Sequence, residues 1–167
     1  MTILNKIKNF LFNVTDVSLG YNKINFIQPA NLDEEQIGYN FDSNGNSLIT
    51  GMDGGWREEW LVIGTDQLGD LVIIDVSSPK LTVLCAAYGE ESLESFVIAN
   101  SLDNFMVIIS ALHKITKNRN ESLNFEKDPV TDQERKNILT KIEQENPDVE
   151  MWFWENFLKN IYDNLSN

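Results

Sequence analysis

The chain has 167 residues, and its 13 lysines and arginines stand against 26 aspartates and glutamates, a formal net charge of −13. That length can bury a core without disulfides or a structural metal, and that charge argues against bare nucleic acid or an anionic membrane as a partner, since both need positive charge to displace counterions. The single cysteine, Cys85, and single histidine, His113, exclude a disulfide framework, a cysteine-rich zinc site and a two-histidine metal site.

In chain order, Ile3, Leu4, Ile7, Phe10 and Leu11 recur at three- and four-residue spacing, which predicts a short amphipathic helix. Lys6 and Lys8 interrupt its apolar run, so residues 1–12 do not read as a secretory leader. Apolar runs such as 105–109 are far shorter than the ~20 residues of a membrane span. The expected location is the cytoplasm. Residues 13–46 are rich in Asn and Asp and carry only short apolar pieces, Ile24 to Ile27 and Ile37 to Phe41, without a clear period.

The centre is more regular. Trp60-Leu61-Val62-Ile63, Leu71-Val72-Ile73-Ile74 and Leu81-Thr82-Val83-Leu84 are strand-like runs separated by turn residues. Connections of about six residues are too short for a helical crossover, so the three strands should form an antiparallel meander. Their near-continuous apolar character predicts helices or a second sheet layer on each face. From Leu93 through Phe96, Val97, Asn100, Phe105, Ile108, Ile109 and Leu112 the apolar period suggests helix, broken near 100–104. Residues 118–128 read as a polar surface loop. Thr131-Asp132-Gln133-Glu134 forms a capping box ahead of a helix. Asn146-Pro147 reads as the start of a last helix reaching about 165. The prediction is an α+β fold, mainly antiparallel and flanked by helices, in one domain spanning 1–167 with a helical C-terminal extension from about 130.

Few residues offer chemistry. Asp42-Ser43-Asn44-Gly45-Asn46 opens like a calcium loop, but Ser47 and Asp53 stand where an EF-hand needs glycine and glutamate, so an Asn-Gly turn is expected. Cys85 lies in an apolar run with no adjacent base to lower its pKa and reads as structural. His113 has no nucleophile partner and suits the C-terminal end of a helix. The glycines of 51–55 lack the Lys-Ser/Thr pair of a phosphate cradle. No residue is assigned a catalytic role, and no cofactor or metal is expected. Trp152, Phe153 and Trp154 cannot share one helix face, so at least one should be partly exposed.

Residues 51–96 carry Trp60, an apolar strand, Gly64-Thr65-Asp66, Gly69-Asp70 and a second strand ending at Asp75. In these motifs the segment resembles the SUKH superfamily, also described as the cell-wall assembly or glucan-synthesis regulator family. Trp60, Gly64, Asp66, Gly69, Asp70 and Asp75 match the family pattern one by one. The loose counterpart of its Leu-Pro step is Gln28-Pro29, and no family motif is placed after Lys114. The resemblance implies a non-enzymatic, protein-binding domain. Many bacterial members are similar to immunity proteins that neutralise secreted toxins, often nucleases, and fungal relatives regulate wall synthesis.

An acidic domain complements the basic cleft of a nuclease, which agrees with the first role. The expected function is therefore toxin neutralisation by binding a protein partner, a basic toxin domain. The alternatives are a scaffold of cell-wall synthesis and a small-molecule-binding domain. Asp53, Trp56, Arg57, Glu58, Asp66 and Asp70 are the expected contact residues, because polar loops flanking strands commonly carry recognition groups. Gly64, Gly69 and Asp70 have a competing role in simply making the turns.

Overall fold

A computed structural model of the protein describes residues 1–88, 92–117, 119 and 122–159. Its six strands, β1 (Val17–Leu19), β2 (Asn22–Phe26), β3 (Trp60–Asp66), β4 (Leu71–Asp75), β5 (Thr82–Tyr88) and β6 (Leu93–Ala99), form one antiparallel sheet in chain order. The helices are α1 (Ile3–Asn13), α2 (Leu102–Thr116), α3 (Ser122–Lys127), α4 (Asp132–Glu145) and α5 (Met151–Phe157). The α+β meander expected from the three central runs is present, extended by two strands before it and one after. No helix among the described residues is long and apolar enough to cross a membrane.

One face of the sheet carries the main core. Ile24, Ile63, Val72, Ile74, Val83, Cys85 and Ile98 pack against Ile7, Phe10 and Leu11 of α1. Phe105, Ile109 and Leu112 of α2, Ile138 and Ile142 of α4, and Phe153, Trp154 and Phe157 of α5 complete it. The C-terminal helices thus share the same buried cluster as the N-terminal one.

The second face holds Trp60, Val62, Leu71, Ile73, Leu84 and Ala86. Neither a helical layer nor another sheet covers it: the irregular segment 27–59 does, with Ile27, Tyr39 and Trp56 against the sheet and only two short 3-10 turns, Pro29–Asn31 and Glu34–Gln36. Irregular chain can lie there because its side-chain amides finish the sheet. β2 pairs with β3 only from Asp66 back to Gly64, and the Ile27 amide adds a bond to the Ile63 carbonyl. Beyond that point Gln36, itself buried, takes over. Its Oε1 accepts from the Val62 amide at 2.9 Å, and its Nε2 donates to the Val62 carbonyl at 2.9 Å and the Leu32 carbonyl at 3.0 Å. The carboxamide mimics a peptide group of a missing strand. Asn40 continues the series by donating to the Trp60 carbonyl.

Three further expectations are corrected. Residues 93–99 form β6, not helix. Its register with β5 is regular from Leu93 to Val97, and both of its faces take apolar residues: Leu93 and Val97 pack on the second face and Phe96 on the main core, a combined spacing that imitates a helical period. The helix proper starts after Ser101, whose side chain accepts from the Asn104 amide. The segment 118–128 is not simply a surface loop, since it includes α3 and the buried Arg119. That guanidinium forks onto Asp128 at 2.9 and 3.1 Å and reaches Glu134 at 3.0 Å. Residues 118, 120 and 121 lie outside the described residues.

The capping box at Thr131 and Glu134 is present as expected. Asn146-Pro147, however, does not open the last helix. Asn146 is buried, its Nδ2 donating to the Ile142 carbonyl of α4 and its Oδ1 accepting from the Asn100 amide, and α5 begins only after Glu150. The expected continuation to 165 falls, from residue 160, outside the described residues. The segment 146–154 also lines β6: the Glu150 amide donates to the Val97 carbonyl and the Trp154 Nε1 to the Ile98 carbonyl.

Candidate functional site

The hairpin joining β3 to β4 places the two aspartates singled out in the sequence. Asp66 Oδ1 accepts from the amides of Leu68, at 2.8 Å, and Asp70, at 3.0 Å, which folds the turn over the carboxylate. Gly69 closes it at φ +85°, a left-handed conformation costly for a residue with a Cβ. Upstream, a Cβ on Gly64 would stand 2.3 Å from the Asn25 carbonyl oxygen, so only glycine lets β2 approach β3 here. Asp75 builds the next turn by accepting from the Ser77 amide, the Ser77 hydroxyl and the Ser78 amide. Gly64, Asp66, Gly69 and Asp75 of the family-like motif therefore each have a local structural task, whereas Asp70 contributes only its backbone to the turn.

Asp66 and Asp70 also open onto a pocket on the helical side of the sheet, with a volume of about 420 Å³. It is lined by Cys85 and Ala87 of β5, by the carboxylates of Asp66, Asp70 and Glu94, and by the aromatic side chains of Phe96, Trp152, Phe153 and Phe157; Glu94 and Phe96 are two residues apart on the same face of β6. Trp152 packs against Phe96 with the rings tilted by 49° and their centroids 4.5 Å apart, and it remains 47% exposed, the partly exposed member that helical geometry requires of the Trp-Phe-Trp run. Asn22 holds α5 in place, its Nδ2 donating to the Phe157 carbonyl at 2.8 Å.

Donor atoms of Asp66, Asp70 and Cys85 lie within 4.8 Å of one another. Burial, then the charges of Asp66 and Asp70, push the Cys85 thiol far above its usual range, so it is a protonated floor rather than a nucleophile. Burial, then the charge of Asp66, also holds the Asp70 carboxyl above the ordinary carboxylate value. A raised carboxyl pKa means that the folded state binds the proton more tightly than the unfolded chain. Stability is therefore lost as pH rises through the acid range and is recovered as pH falls. Asp70→Asn is accordingly expected to raise Tm at pH 7, with the gain shrinking toward pH 3. Thermal melts of both proteins across that range check the sign; a lower Tm at pH 7 would refute it.

The remaining expected contact residues sit elsewhere. Trp56, Arg57 and Trp60 cluster at the start of β3: the Arg57 guanidinium lies 5.4 Å from the Trp60 ring centroid, and Trp56 meets Trp60 edge-on at 5.4 Å. Trp56 Nε1 donates to Asn40 Oδ1. Asp53 and Glu58 are exposed beside them and line a loop depression of about 360 Å³ with Met52 and Glu59. β3 carries this group at one end and Asp66 at the other, about 20 Å away at ~3.3 Å per residue. The six residues thus divide into two sites.

Glu94, Phe96, Phe157 and the anchoring Asn22 were not anticipated. The first two lie on the strand read as helix, and the others join the pocket only through tertiary packing. The aromatic run at 152–154 was the one usable signal. Asp42, first in the calcium-like loop, accepts from the amides of Asn44 and Asn46 and from Asn46 Nδ2, as in a plain Asn-Gly turn. His113 lies in the last turn of α2 with its Nε2 beside Thr15. Comparison of the chain with protein-family models, curated proteins and solved structures finds no match.

Proposed function

We propose that this chain is a non-enzymatic binding domain for a basic protein, and that it acts as an immunity protein occluding a secreted toxin, for which a nuclease offers the best electrostatic match. What supports the reading is acid left without a counter-charge where a partner can reach it. Asp53, Glu58, Asp66, Asp70 and Glu94 line the two depressions, and none forms an ion pair with a described residue. The ion pairs of the described residues instead engage Asp33, Asp103, Asp128, Asp132 and Glu134. Acid left unpaired at concave surfaces raises the association rate with a basic partner and rejects acidic ones.

The test is affinity capture from a lysate of the source organism at low and high salt, followed by kinetics with the purified partner. The expected partner is basic, its catalytic activity is inhibited at one-to-one stoichiometry, and its association rate falls about tenfold or more between low and high salt. Charge reversal at Asp53 and Glu58 tests the loop depression. A partner that is acidic, or whose association rate ignores salt, overturns the reading.

A further inference from the structure

We infer that the pocket between the ends of β3–β6 and α5 seats a guanidinium group, the side chain of an arginine on the partner protein; this rests on the reading of the partner as basic. Size comes first. At about 420 Å³ the pocket is at the lower end of the range for small-ligand sites, about 300–1,000 Å³. A helix with its side chains is about 10–12 Å across, so a long side chain fits where an element of structure does not.

The chemistry of the walls narrows the occupant further. Asp66 is only 7% exposed and spends Oδ1 on two backbone amides, while its Oδ2 has no hydrogen-bond partner among the described residues. That oxygen is not sealed among the buried polar atoms without a partner, and Asp66 lines the pocket, so Oδ2 is open to a donor that enters it. The Asp70 and Glu94 carboxylates, which also line the pocket, have no hydrogen-bond or ion-pair partner among the described residues either. The protein thus offers several acceptors and no cation.

The same pocket is lined by the aromatic side chains of Phe96, Phe153, Phe157 and the half-exposed Trp152, with Phe96 next to Glu94 on one face of β6. A guanidinium satisfies both the acidic and the aromatic parts of this lining at once. Its planar fork donates to carboxylates while its face stacks on an aromatic ring, and its three-carbon stem tolerates apolar surroundings. A bare metal ion leaves the aromatic wall without a role, an apolar side chain leaves Asp66 unpaired, and an anion is repelled by three acids. An ammonium meets the acids only as a point charge and lacks the planar stacking surface.

The probe is Nα-acetyl-L-argininamide, titrated into the intact ¹⁵N-labelled protein while the indole N–H of Trp152 and the amides of Asp70 and Glu94 are followed. Nα-acetyl-L-lysinamide and Nα-acetyl-L-leucinamide serve as controls, and agmatine represents a free guanidinium metabolite. Saturable shifts confined to the pocket are expected with argininamide, at least about fivefold tighter than with lysinamide and absent with leucinamide. Asp70→Asn with Glu94→Gln, and separately Trp152→Ala, should each weaken them about fivefold or more. These variants alter exposed or half-exposed side chains, and their melts and spectra confirm the fold.

No saturable shift, equal shifts with lysinamide, or shifts unaltered in the variants would overturn the assignment. Agmatine binding tenfold tighter than argininamide would also overturn it, by assigning the pocket to a free small molecule. The titration contains no partner, so its failure is separate from that of the basic-partner reading, which the salt dependence decides.

Discussion

Trp154→Ala is expected to lower the stability of the protein by about 4 kcal/mol, within the 3–5 kcal/mol typical of a buried tryptophan truncated to alanine. For a chain of this length that is a fall in Tm of roughly 8–16 °C. Trp154 is fully buried, packs edge-on against Phe153 at 4.9 Å and Phe157 at 5.9 Å, and reaches Phe105 of α2 at 6.4 Å. It is the contact through which α5 is held to both the sheet and α2. Its Nε1 also donates to the Ile98 carbonyl at 2.8 Å, so truncation opens a cavity and removes that carbonyl's donor together. Trp154→Phe separates the two losses: it keeps most of the volume, loses the donor, and should cost about 1–3 kcal/mol. Urea melts of the three proteins read both values. An alanine variant within 1 kcal/mol of the wild type, about a quarter of the expected loss, would show that α5 contributes little to the core.

Gln36→Leu is expected to cost about 3 kcal/mol although it exchanges a polar side chain for an apolar one of similar size in a buried place. The loss comes from what it abandons. The Val62 N–H and C=O, both within the sheet, lose the carboxamide that pairs them, and a buried orphan group costs about 1–3 kcal/mol. The Leu32 carbonyl loses a donor as well. Amide hydrogen exchange makes the prediction local, because the Val62 N–H should exchange faster in the variant by a larger factor than the amides of β5. Gln36→Glu is the sharper control. It keeps an acceptor for the Val62 amide but turns the donor into an oxygen facing two carbonyls, and it buries a charge. Its loss at pH 7 should exceed that of leucine and diminish on acidification, as protonation restores an O–H. A leucine variant as stable as the wild type would refute the strand-mimic role.

The parts of the fold that could be read from residues in order are those whose cause is local. The β3–β5 meander follows from short turns between apolar runs, the α4 start from Thr131 and Glu134, and the Asn-Gly turn from Asp42. β6 escaped because apolar residues on both of its faces, Leu93 and Val97 on one and Phe96 on the other, fall at three- and four-residue spacing like a helical stripe. The cover of the second face escaped because no periodicity announces a segment anchored by carboxamides; Gln36 is one polar residue among several in that stretch.

The site divides in the same way. Asp66 and Asp70 were legible because they make their own turn, whereas Glu94, Phe96 and Phe157 belong to the pocket only by long-range packing. Trp56 and Asp66 were grouped by nearness in sequence, yet a strand holds its two ends apart. The distance between them is a property of the extended chain.

β6 is the last strand of the sheet, and such an edge ordinarily presents free amides and carbonyls to which another chain can add a strand. Here the carbonyls of Val97 and Ile98 and the amide of Asn100 are already engaged by Glu150, Trp154 and Asn146. The 146–154 segment thus shields this stretch from self-templated growth into aggregates. It also limits how a partner can dock, since a peptide cannot extend the sheet at these positions without first displacing α5. Recognition there has to proceed through side chains, and damage to α5 exchanges a shielded border for an adhesive one.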